Sequence, residues 1–399
     1  MKVRGGHLSE RRDKIVFLAH AHLSEKIVRD CHMEELLARG ISIEYWDLVE
    51  LLFGITHEAN EITRDFVVQV AGYRELESML RVLRNQRAKF VLLMAFEGRF
   101  SRLFRLLTKY GCRQYYIGWG ALPWHIGNPR WRRLLRRALQ PFHFISSVAS
   151  WMQGAILQGL GLIKPIDVVF AAGGVVCRTA KRCRRIIATN SPDYDRYAET
   201  LSHSRRAVEE PYCVFLDVYL PYHPDLKIVG IANLDAKRYF ASLNRFFSIV
   251  ESQYDLRVVI AAHPQANYSP GTFDGRTCIQ GATALLVRDA EFVIAQYSTS
   301  VGFAVLHNKP VLFIITADMN RYQENTLVQY TQGLAQYLGL EVLNVDDTAP
   351  STPIRLAPVK SDRYNLYKYE FLTTPQSEHN TGCEIFVREM VQEQVTVVQ

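Results

Sequence analysis

Three stretches set chemically capable side chains at the ends of apolar runs. In "VVIAAHPQANY" (258–268) four apolar residues lead through Ala262 into His263 and Pro264. The run reads as a buried strand, and proline, which cannot donate to a sheet ladder, belongs at its end. A histidine there donates hydrogen bonds to an anion and gains charge near neutral pH. In "AQYSTSVGFAVLHNKPVLFI" (295–314) a strand ends at Gln296 and Tyr297, and Ser298, Thr299 and Ser300 open a helix. Hydroxyls and free backbone N–H groups at a helix start form an anion site, and Gly302 allows close approach. Alone, Ser298 or Thr299 reads as an N-cap. Paired with His263 and Pro264, the loop reads as a phosphate site. In "VFLDVYLPYHPD" (214–225) the strand ends in an acid, Asp217. An acid entering a cleft is poorly solvated, so it serves chemistry or else caps or pairs. His223 and Asp225 structure the same loop.

Further candidates lie in the first half. Glu97 in "MAFEGRF" (94–100) is the matching strand-end acid, a catalytic carboxylate or a cap on the helix near Ser101. His20 and His22 in "HAH" end the first strand and face donor or acceptor. Two histidines at i and i+2 without a third ligand are a weak metal site. Asp193 and Asp195 in "DYD" match a D-x-D metal pattern, but their place at a domain junction favours a structural role. No metal is expected.

The elements that position these residues alternate. "KIVFLAH" (14–20), "ISIEYWDL" (41–48), "KFVLLMAFEG", "QYYIGWG", "FHFISSVA" (142–149) and "IDVVFAAGG" read as strands. "SEKIVRDCHMEELLARG" (24–40) and "YRELESMLRVLRNQRA" read as helices between them. The second half repeats the pattern with "YCVFLD", "DAKRYFASLNRFFSIVESQ", "LRVVIAAHP", "ATALLVRDA", "EFVIAQ", "VGFAVLHN" and "KPVLFIIT". Alternation of this kind predicts parallel sheets flanked by helices. The expected fold is α/β, two Rossmann-like domains facing a central cleft. Residues 1–195 form the acceptor-side domain and 196–365 the nucleotide-sugar domain, with the junction in the basic, polar segment 175–210. A helical segment, 366–399, packs back on the domains. Ligands of such sheets bind at the carboxyl ends of the strands, which puts His263 and the serine loop on one edge.

Composition bounds the class. The chain has 399 residues, 48% hydrophobic and 22% charged, which suits two globular domains. No apolar run reaches the roughly 18 residues of a membrane span, and the polar N-terminus lacks a signal h-region. Seven scattered cysteines predict reduced thiols and a cytoplasmic location. Part of the +7 net charge lies in "NPRWRRLLRRALQ" (128–140), a basic amphipathic surface. It is a solvated helix face or a dock for an anionic membrane through residues 130–137. Nucleic acid is not expected, since no zinc-finger spacing or RNP-like motif is present.

The combination "FLD…HP…YSTSVGFAVLHNKPV" resembles bacterial surface-polysaccharide glycosyltransferases of the GT-B fold. It is most similar to the retaining β-Kdo transferases of capsule and O-antigen assembly, mainly over residues 212–315. The resemblance implies a CMP-Kdo donor held by the C-terminal domain, a glycan acceptor on the N-terminal side that is lipid-linked, and no obligatory metal or other cofactor. It implies Asp217 as nucleophile, His263 against donor phosphate or carboxylate, and Ser298 to Ser300 against the CMP phosphate. Pro264, Gln265 and Tyr297 fall on the same donor side. No motif fixes the general base, and Glu97 is assigned from its position. Rival readings are an inverting CMP-nonulosonate transferase, a CDP-alditol phosphotransferase and a non-catalytic glycan-binding partner of an assembly.

Overall fold

Unbroken apolar runs become central parallel strands, because a parallel sheet is covered on both faces. The computed structural model describes residues 14–54, 62–84, 88–120, 122–123, 154, 156–180, 182–222, 234–321 and 326–392. The first sheet contains β1 (Lys14–Ala19), β2 (Ser42–Asp47), β3 (Val67–Gln69), β4 (Ala88–Leu92), β5 (Arg113–Gly118), β6 (Ile166–Ala172) and β7 (Cys183–Thr189). Its order is β3-β2-β1-β4-β5-β6-β7, parallel throughout. The second contains β8 (Tyr212–Leu216), β9 (Arg257–Ala262), β10 (Cys278–Gln280), β11 (Val293–Ala295), β12 (Val311–Ile315) and β13 (Val342–Asn344). Its order is β10-β9-β8-β11-β12-β13, also parallel. The expected α/β architecture of two Rossmann-like sheets with C-terminal helices is present.

The strand period of two divides each run between two cores. Val16 and Leu18 of β1 enter one apolar cluster, while Ile15, Phe17 and Ala19 enter another. In β8, Tyr212, Val214 and Leu216 face one way, and Cys213 and Phe215 the other. The next residue on that second face is Asp217, so the alternation aims it at the helix Ala236–Tyr254. That helix is capped by Asp235, whose side chain accepts from the N–H of Arg238, and it buries Tyr239, Phe240, Leu243, Phe246, Phe247 and Val250. Each fully buried side chain of this size contributes about 1.5–3 kcal/mol. Strand order reverses beside β1 and β4 in the first sheet and beside β8 and β11 in the second, which defines two crevices.

Two local expectations are corrected. The single helix predicted over 24–40 is two, Glu25–Asp30 and Met33–Ala38, because His32 adopts a left-handed backbone (φ 53°) between them. The polar segment 175–210 is not only a junction. It contains β7, an edge strand whose arginines point to solvent, so its burial pattern does not read as a central strand.

The chain crosses between sheets twice in one place. After β7, Ser191 caps the helix Pro192–Thr200, which packs on the second-sheet helices Thr283–Asp289 and Val301–Leu306. The expected boundary after residue 195 falls inside this helix. The return runs through helix Ser361–Tyr367 and a π-helical turn, Lys368–Leu372, to helix Gly382–Val391. This last helix sends Phe386, Val387 and Met390 into the first-sheet core beside Ile15, Phe17 and Phe170. Asn190 ties the crossings, accepting from Thr373 Oγ1 (2.7 Å) and donating to the Asn380 carbonyl (2.7 Å). Asp195 accepts from the N–H of Gly382, and Asp193 pairs with Arg196, which also binds Asp30. The two D-x-D carboxylates thus hold the junction. Gly173 (φ 79°) sits where a Cβ would overlap the Glu370 carbonyl. The strand expected at 142–149, the arginines of 130–137, His223 and Asp225 lie outside the described residues. Among the described residues no helix is long and apolar enough to cross a membrane.

Candidate active site

On the second-sheet edge, Asp217 follows β8 and is 6% exposed. Its Oδ1 accepts the N–H of Tyr219 at 2.9 Å. Its Oδ2 accepts the N–H of His263 at 3.0 Å and the hydroxyl of Tyr268 at 2.7 Å. One carboxylate therefore joins the loops after β8 and β9. Burial, and next the Asp217 charge, push the Tyr268 phenol far above its ordinary range, so it stays a donor. Tyr219 is held left-handed (φ 55°), a strain of about 1–3 kcal/mol offset by its hydrogen bond to Asp217. That conformation lays its ring parallel to His263 at 6.0 Å and edge-on to Tyr268 at 5.5 Å.

His263 is half-buried in a tight turn, with Ala266 N–H donating to its carbonyl at 2.8 Å. The Nδ1 accepts the N–H of Gln265 at 3.2 Å, which puts the proton of the neutral ring on Nε2. Gln280 at the end of β10 donates to the carbonyls of His263, Pro264 and Ala266 at 2.9, 2.7 and 3.2 Å. The turn is thus built to present an Nε2–H donor at the strand edge, while Pro264 and Gln265 are exposed.

The serine loop follows β11. Gln296 is fully buried and accepts from the hydroxyl of Tyr239 at 2.8 Å. Tyr297 and Ser298 are half-buried, Thr299 is exposed and Ser300 half-buried. The expectation of free N–H groups here is corrected. Ser300 N–H donates to Ser298 Oγ, and the N–H groups of Val301, Gly302 and Phe303 donate to the carbonyls of Ser298, Thr299 and Ser300. The helix Val301–Leu306 is only six residues long, so its dipole is small. Anion recognition in this loop falls to the hydroxyls. The space at Gly302 is also taken from within, since a Cβ there would meet Leu372 at 3.0 Å. His307 ends the helix against Tyr197 (4.7 Å) and Thr200 (3.3 Å), and burial lowers its pKa to about 4.

On the first-sheet edge, His20 lies between Phe53 and Phe100, each 6.4 Å away. Desolvation by these neighbours lowers its pKa, against the opposing pull of Glu97. Glu97 is half-exposed and 2.6 Å from Arg99, whose guanidinium covers both phenylalanine rings. It precedes the 3₁₀ turn Gly98–Phe100 without a side-chain cap, so the capping alternative does not describe it. His22 pairs through Nδ1 with buried Asp47 at 2.7 Å. The sequence reading singled out neither Asp47 nor Tyr219, Tyr268 and Gln280. Asp47 has a visible signal: "EYWDL" ends a strand in an acid as "VFLDV" does.

The structure therefore brings Asp217 and His263 into one hydrogen-bonded unit, with the serine loop on a nearby strand end of the same sheet. Glu97 belongs to the other sheet. No family model and no curated protein sequence matches the chain. Solved structures are similar in fold. The UDP-GlcNAc 2-epimerase of Methanocaldococcus jannaschii aligns over 95% of this chain and 99% of its own at 10% identity, TM-score 0.46. The calicheamicin glycosyltransferase CalG4 aligns over 96% and 93% at 11% identity, TM-score 0.42. UGT2 of Phytolacca americana, solved with UDP-2fluoro-glucose and pterostilbene, aligns over 95% and 94% at 8% identity, TM-score 0.46. At these identities the likeness concerns the fold alone.

Proposed function

We propose that the chain is a glycosyltransferase that moves Kdo, a 2-keto sugar acid, from CMP-Kdo to a glycan acceptor with retention of configuration. The observation that carries this reading is the buried Asp217 carboxylate at the second-sheet switch edge, joined directly to the His263 turn. Kdo bears a carboxylate at its anomeric carbon, so its donor places two anions around the reacting centre. His263 Nε2–H and the hydroxyls of Ser298, Thr299 and Ser300 are the donors that meet them. Asp217 attacks the anomeric carbon as CMP departs with the bonding electrons, and the acceptor oxygen then displaces Asp217. Two inversions give net retention. The acceptor is a lipid-linked glycan, and sedimentation with anionic liposomes at low salt tests the accompanying membrane contact.

A second reading is favoured by the three hydrogen bonds that Asp217 already accepts. They suit an acid that organises loops, in which case the enzyme is an inverting CMP-nonulosonate transferase or a CDP-alditol phosphotransferase. A screen of nucleotide sugars for CMP, UDP or GDP release, followed by the anomeric configuration of the product, separates these. CMP release with retention is expected. Release of UDP or GDP alone overturns the donor, and an inverted product overturns the mechanism. A glycan-binding partner releases no nucleotide at all.

A further inference from the structure

The first sheet carries an ionisable pair that the reading above does not use. His22 lies just beyond β1, and its Nδ1 is 2.7 Å from Oδ2 of Asp47, the last residue of β2. The Asp47 side chain is completely buried, while that of His22 is 31% exposed. The other oxygen, Oδ1, accepts the N–H of Val49 at 3.0 Å, which fixes the carboxylate across the turn into helix Val49–Phe53. Tyr45, two residues earlier on the same face of β2, donates its hydroxyl to the Ala21 carbonyl at 2.7 Å. The loop that carries His22 is thus anchored to β2 at two consecutive residues. It leaves β1, one of the two strands flanking the first-sheet crevice.

An imidazole that donates Nδ1–H to a buried carboxylate keeps its lone pair on Nε2, and the carboxylate steadies the imidazolium formed on proton uptake. A cap on Val49 alone needs only one oxygen, and any Asn or Ser supplies it. The second, dry oxygen of Asp47 is spent on the ring. Glu97, by contrast, is half-exposed and committed to Arg99, which weakens it as a base.

We infer that His22, oriented by Asp47, is the general base that activates the acceptor hydroxyl. This assignment rests on the proposed glycosyl transfer and concerns its second displacement. The acceptor oxygen attacks the anomeric carbon of the glycosyl–Asp217 ester while His22 Nε2 takes the hydroxyl proton. The bond to Asp217 breaks, its electron pair returns to the carboxylate, and the proton passes from Nε2 to solvent. Asp47 is a positioning residue and does not touch substrate.

Azide tests the assignment, because it attacks the ester without a proton to lose. Wild-type protein, His22→Asn, Glu97→Gln and Asp47→Asn are given CMP-Kdo with water as the only acceptor. Asparagine at 22 places an amide N–H where Nδ1 stood, so Asp47 keeps a donor and the fold is spared. In His22→Asn, CMP release should fall by about 10²–10⁴, and the protein should accumulate the mass of one sugar residue. Azide should restore release to within about tenfold and yield the glycosyl azide. Asp47→Asn should show a smaller loss with the same rescue, which a merely structural role does not produce. Glu97→Gln should stay within about threefold and ignore azide. Unchanged release in His22→Asn, or rescue of Glu97→Gln instead, overturns the assignment. Wild-type protein that releases no CMP overturns the donor reading itself, and this assignment with it.

Discussion

The two carboxyl edges place charged groups by different means. On the second sheet a buried acid is covered by three donors, two of them backbone N–H groups, so Asp217 fixes the path of two loops at once. On the first sheet the acids bind side chains: Asp47 holds an imidazole and Glu97 a guanidinium. Backbone anchoring makes a rigid recess that suits a donor of constant shape. Side-chain anchoring leaves rings and carboxylates at the surface, where a variable acceptor is met. Substitutions on the two edges should accordingly fail in different ways.

The largest expected effect is at Asp217. Asp217→Asn should lower CMP release by about a thousandfold or more, because an amide cannot form the glycosyl ester. It should also cost stability, since its NH₂ cannot accept from both His263 and Tyr268, a loss of about 1–3 kcal/mol read from denaturant midpoints. Release within tenfold of wild type would leave Asp217 as a loop bracket and move the chemistry elsewhere. Next is Tyr268→Phe, which removes one donor to a buried carboxylate without touching ligand. A loss of about 1.5–3 kcal/mol in stability is expected, and no change in melting would show that the edge is held by backbone alone. His263→Ala should weaken CMP binding about tenfold by calorimetry, close to the 1.4 kcal/mol of one good hydrogen bond. Ser298→Ala should weaken it less and cost about 0.5–2 kcal/mol through the lost bond to Ser300. Equal CMP affinity in both variants would remove the donor from this edge.

Acid probes what the two halves share. Burial lowers His32 near the first sheet and His307 near the second to about 4. The unfolded chain takes up these protons near 6.5. It binds more protons between those values, so stability is full above about pH 6.5 and declines as pH falls toward 4. His32→Asn with His307→Asn should flatten that decline in equilibrium unfolding. Asparagine also tolerates the left-handed backbone at 32. An unchanged slope would assign the acid sensitivity to other groups.

The sequence made most of the strands legible, because a buried parallel strand announces itself as an apolar run. It also put Asp217 and His263 on one edge. The partners that organise that edge were hidden by distance and type. Tyr268 lies 51 residues from Asp217 and Gln280 is 17 from His263, and neither sits in a motif. The free N–H groups expected at Val301 were absent for a local reason: the turn closes on its own carbonyls. β7 went unread because an edge strand needs only one buried face and tolerates arginine on the other.

The double crossover at Asn190 and Asn380 also bears on the order of synthesis. Phe386, Val387 and Met390 complete the core around Ile15 and Phe17, yet they emerge from the ribosome roughly 190 residues after β7. At about 5–20 residues per second, the first sheet waits on the order of 10–40 s with one apolar face uncovered. The whole second sheet is made in that interval. The half of the molecule translated first is therefore the half that finishes folding last, and for that interval it is the natural client of a chaperone.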